Sequence, residues 1–269
     1  MKIAVQLFSV RNSYDKNYYE TLKSIKESGY EGVEFSGVGA IPAKELKKTC
    51  EELGLTPVSA HIMHTAILED MEGIFTYCKE LGLKYIAIPW VEDKYRPGEA
   101  GFEDLVEAIK KIGAEAKKHG IQLLYHNHDF EFKKYKGKYA LDYIYESVDK
   151  ELLGAEIDTA WVRVSSVDPG KYLEKYADRS YVVHLKDFAG KREGSDYTSI
   201  AIEGEREAED IPFEFRPVGY GFQNFEKIMD SVYKTNAEWV VVEQDNPSLG
   251  LDELESTKKS IDYIKTIIK

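Results

Sequence analysis

The sequence predicts a single (β/α)8 barrel spanning residues 1–269, and three observations carry that expectation. Short apolar runs alternate with stretches whose apolar residues recur at helical spacing, eight times along the chain. Four of the helical stretches close on one phrase, a glycine and then an apolar residue leading into the next run. These are Ser28-Gly29-Tyr30, Leu53-Gly54-Leu55, Leu81-Gly82-Leu83 and His119-Gly120-Ile121. The runs start near residues 3, 32, 57, 85, 121, 154, 181 and 239, and every step but the last suits a right-handed strand–helix–strand crossover.

Residues 3–10 read as the first strand. The helix expected at 18–28 carries Tyr18, Leu22 and Ile25 on one face, and Gly29 supplies its left-handed cap. The second unit joins 32–35 to 42–53, with Pro42 where a first helical turn tolerates the missing N–H. Strand 57–62 leads to helix 68–81, strand 85–91 to helix 103–119, and strand 121–126 to helix 141–148. The last three units join 155–158 to 169–176, 181–185 to 225–233, and 239–243 to 251–268. Strand seven is followed by a charged insertion, residues 189–217. On the C-terminal face of the strands it would be a lid, an interface arm or a solvated loop.

Composition narrows the class. At 269 residues and 43% hydrophobic, the chain can bury a core that needs no disulfides. Cys50 and Cys78 lie far apart inside helical patterns and read as core thiols of a reducing compartment. The opening run Met1-Lys2-Ile3-Ala4-Val5-Gln6-Leu7 turns polar too soon for a signal peptide, and no apolar run approaches the roughly 18 residues of a membrane span. The expectation is a cytoplasmic protein with no membrane partner. A net charge of −12 opposes binding to nucleic acid, whose phosphates demand excess Lys and Arg.

Four consecutive runs end on metal-ligand residues: Leu123-Leu124-Tyr125-His126, Ala155-Glu156-Ile157-Asp158, Tyr181-Val182-Val183-His184 and Val240-Val241-Val242-Glu243. In a parallel barrel these ends meet at one mouth, where active sites lie. His126, Asp158, His184 and Glu243 would then hold one divalent ion. Two imidazoles and two carboxylates suit Mn²⁺, Zn²⁺, Co²⁺ or Fe²⁺ better than Mg²⁺. His128 shares a strand face with His126 and could act as a base or orient a ligand. Lys186 alternates with His184 and could stabilise an oxyanion or bind a phosphate. Trp90 and Trp161, just past strands four and six, could wall a ligand pocket or pack the barrel mouth.

The phrases Tyr125-His126-Asn127-His128-Asp129-Phe130-Glu131-Phe132, Ile157-Asp158-Thr159-Ala160-Trp161, Val183-His184-Leu185-Lys186-Asp187 and Val242-Glu243-Gln244-Asp245 resemble the xylose isomerase-like sugar phosphate isomerase/epimerase superfamily. That superfamily also holds inosose dehydratases, keto-sugar 3-epimerases, hydroxypyruvate isomerases and the type IV apurinic endonucleases. Its usual ligand order of Glu, Asp, His, Glu carries over to Asp158, His184 and Glu243. At strand five the usual Glu-Asn-His reads His126-Asn127-His128, so either His126 takes the ligand place or Glu131 reaches in from the following loop. The resemblance also implies that Glu34 and His61 contact substrate hydroxyls. In Pro217-Val218-Gly219-Tyr220-Gly221, Gly219 and Gly221 match the family's glycine turn, which approaches the ligand.

The resemblance implies a metal-dependent sugar or sugar phosphate isomerase/epimerase working through an enediolate, with Glu243 as proton acceptor and a small carbohydrate as substrate. Missing the strand-five glutamate, the chain departs from a symmetrical two-glutamate epimerase. The alternative is a hydro-lyase or 3-keto-glycoside lyase of the inosose dehydratase type, with His128 as base. A non-enzymatic sugar-binding protein is the reading from another class. Barrels of this kind pair through surface helices and loops, so a homodimer using the insertion is open to it.

Overall fold

The computed structural model describes residues 1–269. Eight parallel strands form the barrel: β1 (Lys2–Gln6), β2 (Gly32–Phe35), β3 (Thr56–Ala60), β4 (Tyr85–Ile88), β5 (Gln122–His126), β6 (Gly154–Asp158), β7 (Ser180–Leu185) and β8 (Trp239–Val242). They hydrogen-bond in the order β3-β2-β1-β8-β7-β6-β5-β4. A parallel bridge between His61 and Ala87, with the Ile62 N–H donating to the Ala87 carbonyl at 2.9 Å, joins the two ends and closes the ring. Helices on the outside bury their apolar stripes against the sheet. Gly29, Gly54 and Gly82 end three of them at φ of 102°, 68° and 90°, a region open to glycine without strain. No helix is long and apolar enough to cross a membrane.

Three local expectations change. Residues 7–10 leave the sheet as a 3-10 turn, because the Gln6 side chain accepts from the Phe8 N–H at 3.0 Å and ends the strand. The helix expected at 68–81 is two helices, His64–Glu69 and Met71–Leu81, separated by Asp70, whose carboxylate caps the second through the Gly73 N–H. Pro42 stands one position before its helix as the cap residue.

The barrel interior is layered by the two-residue period of the strands. Ala4, Val58, Tyr85, Ala87, Leu124, Val182, Trp239 and Val241 form its apolar floor. Two positions further along the same strands, Ala4 gives way to Gln6, Leu124 to His126, Val182 to His184 and Val241 to Glu243. The second-layer residues are therefore polar and buried together above a dry base.

Residues 189–217 are not a bare loop. Asp187–Ala189 pairs antiparallel with Glu214–Arg216, and between them Tyr197 packs into a small core with Phe188, Phe222, Trp161 and Val164. Fully buried Arg163 ties this arm down: it donates to the Glu205 carboxylate at 2.7 Å, to the Ile200 carbonyl at 2.9 Å and to the Tyr197 carbonyl. Cys50 and Cys78 are buried free thiols.

Candidate active site

The four strand-end residues come together. One ligand atom from each of His126, Asp158, His184 and Glu243 lies within 4.8 Å of the others. His126 Nε2 is 3.9 Å from both Asp158 Oδ2 and Glu243 Oε2, and His184 Nδ1 is 3.0 Å from Glu243 Oε2. Asp158 Oδ2 is buried with no hydrogen-bond partner, while Asp158 Oδ1 accepts the Trp161 N–H at 2.9 Å and caps the helix Thr159–Val164. Lone pairs crowded in this way on buried groups fit a cation whose ligand bonds run to about 2.0–2.2 Å.

Sequence reasoning missed a second set below the first. His61 Nε2 is 2.7 Å from Glu156 Oε2 and 3.0 Å from Glu34 Oε1. His184 Nε2 is 2.8 Å from Glu34 Oε1, and His126 Nδ1 is 3.3 Å from Glu156 Oε2. Glu156 stands two residues before Asp158, so the period of a strand puts both on the interior face, and that spacing was the available signal. Glu34 was expected against substrate. The structure places it beneath the cavity, receiving Gln6 Nε2 at 2.7 Å and the Ser59 hydroxyl.

Electrostatics follow from burial and these contacts. Burial alone raises Glu243, but Lys186 and His184 hold its carboxyl well below the usual range, so it is ionised. Burial pushes Asp158 up to about 7 against the pull of Lys186. Burial opposes charge on His61, yet Glu34 and Glu156 raise it to about 10. Burial, then His184, holds His126 well below the ordinary histidine value, and burial with Lys186 takes His128 down to about 3. Both rings are neutral and free to offer a lone pair. The Lys186 ammonium, raised by Asp245 and Glu243 despite burial, sits 2.6 Å from Asp245 Oδ1 and 3.2 Å from Glu243 Oε2.

A cavity of about 400 Å³ opens above the cluster, lined by His61, His126, His128, Lys186, Glu243, Asp245 and the ring of Trp90 among others. Trp90 is 37% exposed there. Trp161 instead lies under the arm, 7% exposed, against Phe215 and His128. Glu131, the other choice for strand five, turns back: it accepts from the Tyr125 hydroxyl and the His128 N–H, each at 2.8 Å, and joins neither ligand set. The glycine turn cradles a side chain, for the Gly219 and Gly221 N–H groups donate to Asp187 Oδ2 at 3.1 and 2.8 Å.

The xylose isomerase-like TIM barrel family model matches residues 22–267. The chain belongs to that family. Among curated relatives, an inosose dehydratase of Mesomycoplasma hyopneumoniae (strain 7448) is 25% identical over 279 residues, covering 94% of this chain and 90% of the relative. A sugar phosphate isomerase/epimerase from Parabacteroides distasonis shares the fold with a TM-score of 0.76 at 22% identity, over 98% of this chain and 93% of that one. The IOLI protein, a structure with a binding zinc atom, aligns over 100% of both chains at a TM-score of 0.74 and 14% identity.

Proposed function

We propose that the chain is a metal-dependent lyase that eliminates a β-substituent, water in the first instance, from a keto-sugar or keto-cyclitol of the inosose class. The observation that carries this reading is the asymmetry of the cavity wall. Glu243 is the ionised carboxylate beside Lys186, while the strand-five position that would supply a second one is the neutral ring of His126. An epimerase needs proton acceptors on both faces of a carbon. An elimination needs one, plus a donor facing the departing oxygen.

The residues fit those two tasks. Glu243 takes the proton from the carbon next to the ketone, and that C–H pair becomes the enolate double bond. Lys186, held charged between Asp245 and Glu243, offsets the negative oxygen. The enolate then expels the hydroxyl on the next carbon. That hydroxyl takes up the proton removed by Glu243 and leaves as water, and His128, which lines the same cavity, is available to hydrogen-bond the departing oxygen. A divalent ion held by His126, Asp158, His184 and Glu243 would supply Lewis acidity toward the ketone and hydroxyl oxygens. The dehydratase name of relatives spanning most of the chain supports loss of water over simple isomerisation.

The test is incubation of keto-cyclitols and 3-keto-glycosides in D2O, followed by NMR. Loss of water or aglycone, with the α proton gone and deuterium at the former β carbon once the enol product ketonises, is the expected result. Deuterium exchange or epimer formation without loss would overturn the lyase reading in favour of an isomerase. Glu243→Gln should abolish turnover while leaving the circular dichroism spectrum unchanged.

A further inference from the structure

We infer that the buried layer of Glu34, His61 and Glu156 positions the two imidazoles above it, fixing which nitrogen of His126 and of His184 is left as a lone pair for the cation. The inference rests on the metal assignment proposed above. Each ring spans two levels. His184 turns Nε2 to Glu34 at 2.8 Å and Nδ1 to Glu243 at 3.0 Å. His126 turns Nδ1 to Glu156 at 3.3 Å and Nε2 toward Asp158 and Glu243 at 3.9 Å. A neutral imidazole has one N–H, and at His126 the nearest carboxylate, Glu156, draws it to Nδ1; His184 faces carboxylates at both nitrogens, and once the cation takes Glu243, Glu34 is left to hold the proton on Nε2. The lower nitrogens lie within ion-pair range of the carboxylates without being aligned as finished hydrogen bonds.

The layer is itself held. Glu34 receives Gln6 and Ser59, and His61 bridges Glu34 and Glu156. Strand register slips at Val33/Glu34 and again at Ala155/Glu156, irregularities of the kind that re-aim a side chain. Both slips fall on the layer's carboxylates.

A rival arrangement uses the same rings. His61, His126, Glu156 and His184 also bring ligand atoms within 4.8 Å of one another, so an ion could sit in the layer itself. The two positions exclude each other, since a ring serving both would have to lose its last proton. Two facts favour the upper one. It supplies two carboxylates, Asp158 and Glu243, where the lower set supplies Glu156 alone, and Asp158 Oδ2 has no hydrogen-bond partner whereas Glu156 Oε2 already lies 2.7 Å from His61 Nε2.

The experiment measures the dissociation constants of Zn²⁺ and Co²⁺ by chelator competition for the wild-type chain, Glu156→Gln and Glu34→Gln, with the visible spectrum of each Co²⁺ form. Folding is checked by thermal melting. The expected result is metal binding about 10- to 100-fold weaker in each variant, at unchanged stoichiometry, with a shifted Co²⁺ band. Folded variants with wild-type affinity and spectrum would overturn the inference while leaving the metal reading intact. A wild-type chain that binds neither ion would overturn the metal reading, and this inference with it. Should a variant fail to fold, anomalous diffraction from zinc-loaded wild-type crystals decides. Zinc against His126 Nε2 and His184 Nδ1 supports the inference, and zinc against His126 Nδ1 and His61 overturns it.

Discussion

Replacing Lys186 with methionine separates two consequences of one charge. Lys186 is buried, and its Nζ lies 2.6 Å from Asp245, 3.2 Å from Glu243 and 3.9 Å from Asp158. At an effective dielectric of about 20, each contact amounts to roughly 4–6 kcal/mol of gross attraction. Desolvation cancels much of it, and removing one partner of a buried ion pair costs about 3–5 kcal/mol net. Without metal, the variant should lose stability of that order, because Asp158, Glu243 and Asp245 are left facing one another. A divalent cation in the upper set would replace part of the missing positive charge. The loss should therefore shrink in excess Mn²⁺, and Mn²⁺ should bind more tightly than to the wild type. Urea denaturation with EDTA and with Mn²⁺, alongside a metal titration, measures both. Turnover should still fall by about 10²–10³, since the cation does not restore a charge at the ammonium's own position. An equal stability loss with and without metal, or weaker metal binding, would refute the reasoning.

Two further outcomes test the surroundings of the site. Burial raises the Glu131 carboxyl from its ordinary 4.5 to about 8, so the folded state holds a proton that the unfolded chain releases. Its contribution should erode stability as pH rises from about 4.5 to about 8 and then stay constant, and Glu131→Gln, whose amide can serve both Tyr125 and the His128 N–H, should be more stable than wild type at pH 8 with little difference at pH 4. Urea midpoints across that range check it. Arg163→Ala removes the anchor of the arm and leaves the Glu205 carboxylate and two carbonyls without their donor, so tryptic cleavage at Lys191, Arg192 and Arg206 should accelerate and stability should fall by about 3–5 kcal/mol.

What could be read from the sequence follows the range of the forces involved. Strand ends and helix caps are local. The alternation that buries Leu124 carries His126 to the same interior, and the glycine after each helix marks the cap whatever lies beyond it. The clustering of His126, Asp158, His184 and Glu243 was therefore visible from residue spacing. The same rule applied to Glu156 would have shown the lower layer, but attention to strand ends passed over a residue two positions inside. Other outcomes depend on contacts across the chain. Gly219 and Gly221 serve Asp187 from more than thirty residues away, and Trp161 is covered by an arm whose folding rests on Arg163 meeting Glu205. No periodicity announces such meetings. Glu131 was undecided from sequence because only its hydrogen bonds to Tyr125 and the His128 N–H show which way it turns.

The family's glutamate at strand five and the histidine found here place different demands on what lies below. A carboxylate has two equivalent oxygens and needs no partner to choose between them. An imidazole presents a lone pair on one nitrogen only when its proton is kept on the other. At 3.3 Å below His126 stands Glu156, fully buried and itself held by His61. A glutamate at position 126 would meet that carboxylate with like charge in a buried space, whereas the histidine can meet it with an N–H. His126 and Glu156 are thus a matched pair: the departure from the family's ligand pattern is electrostatically tolerable because of the acid beneath it, and that acid has an organic partner because the ligand above it is an imidazole. The same exchange removes one negative charge from the cavity wall, leaving Glu243 as the ionised carboxylate beside Lys186. The one substitution at the end of β5 thereby connects the proposed metal site, the buried layer and the proposed one-base chemistry.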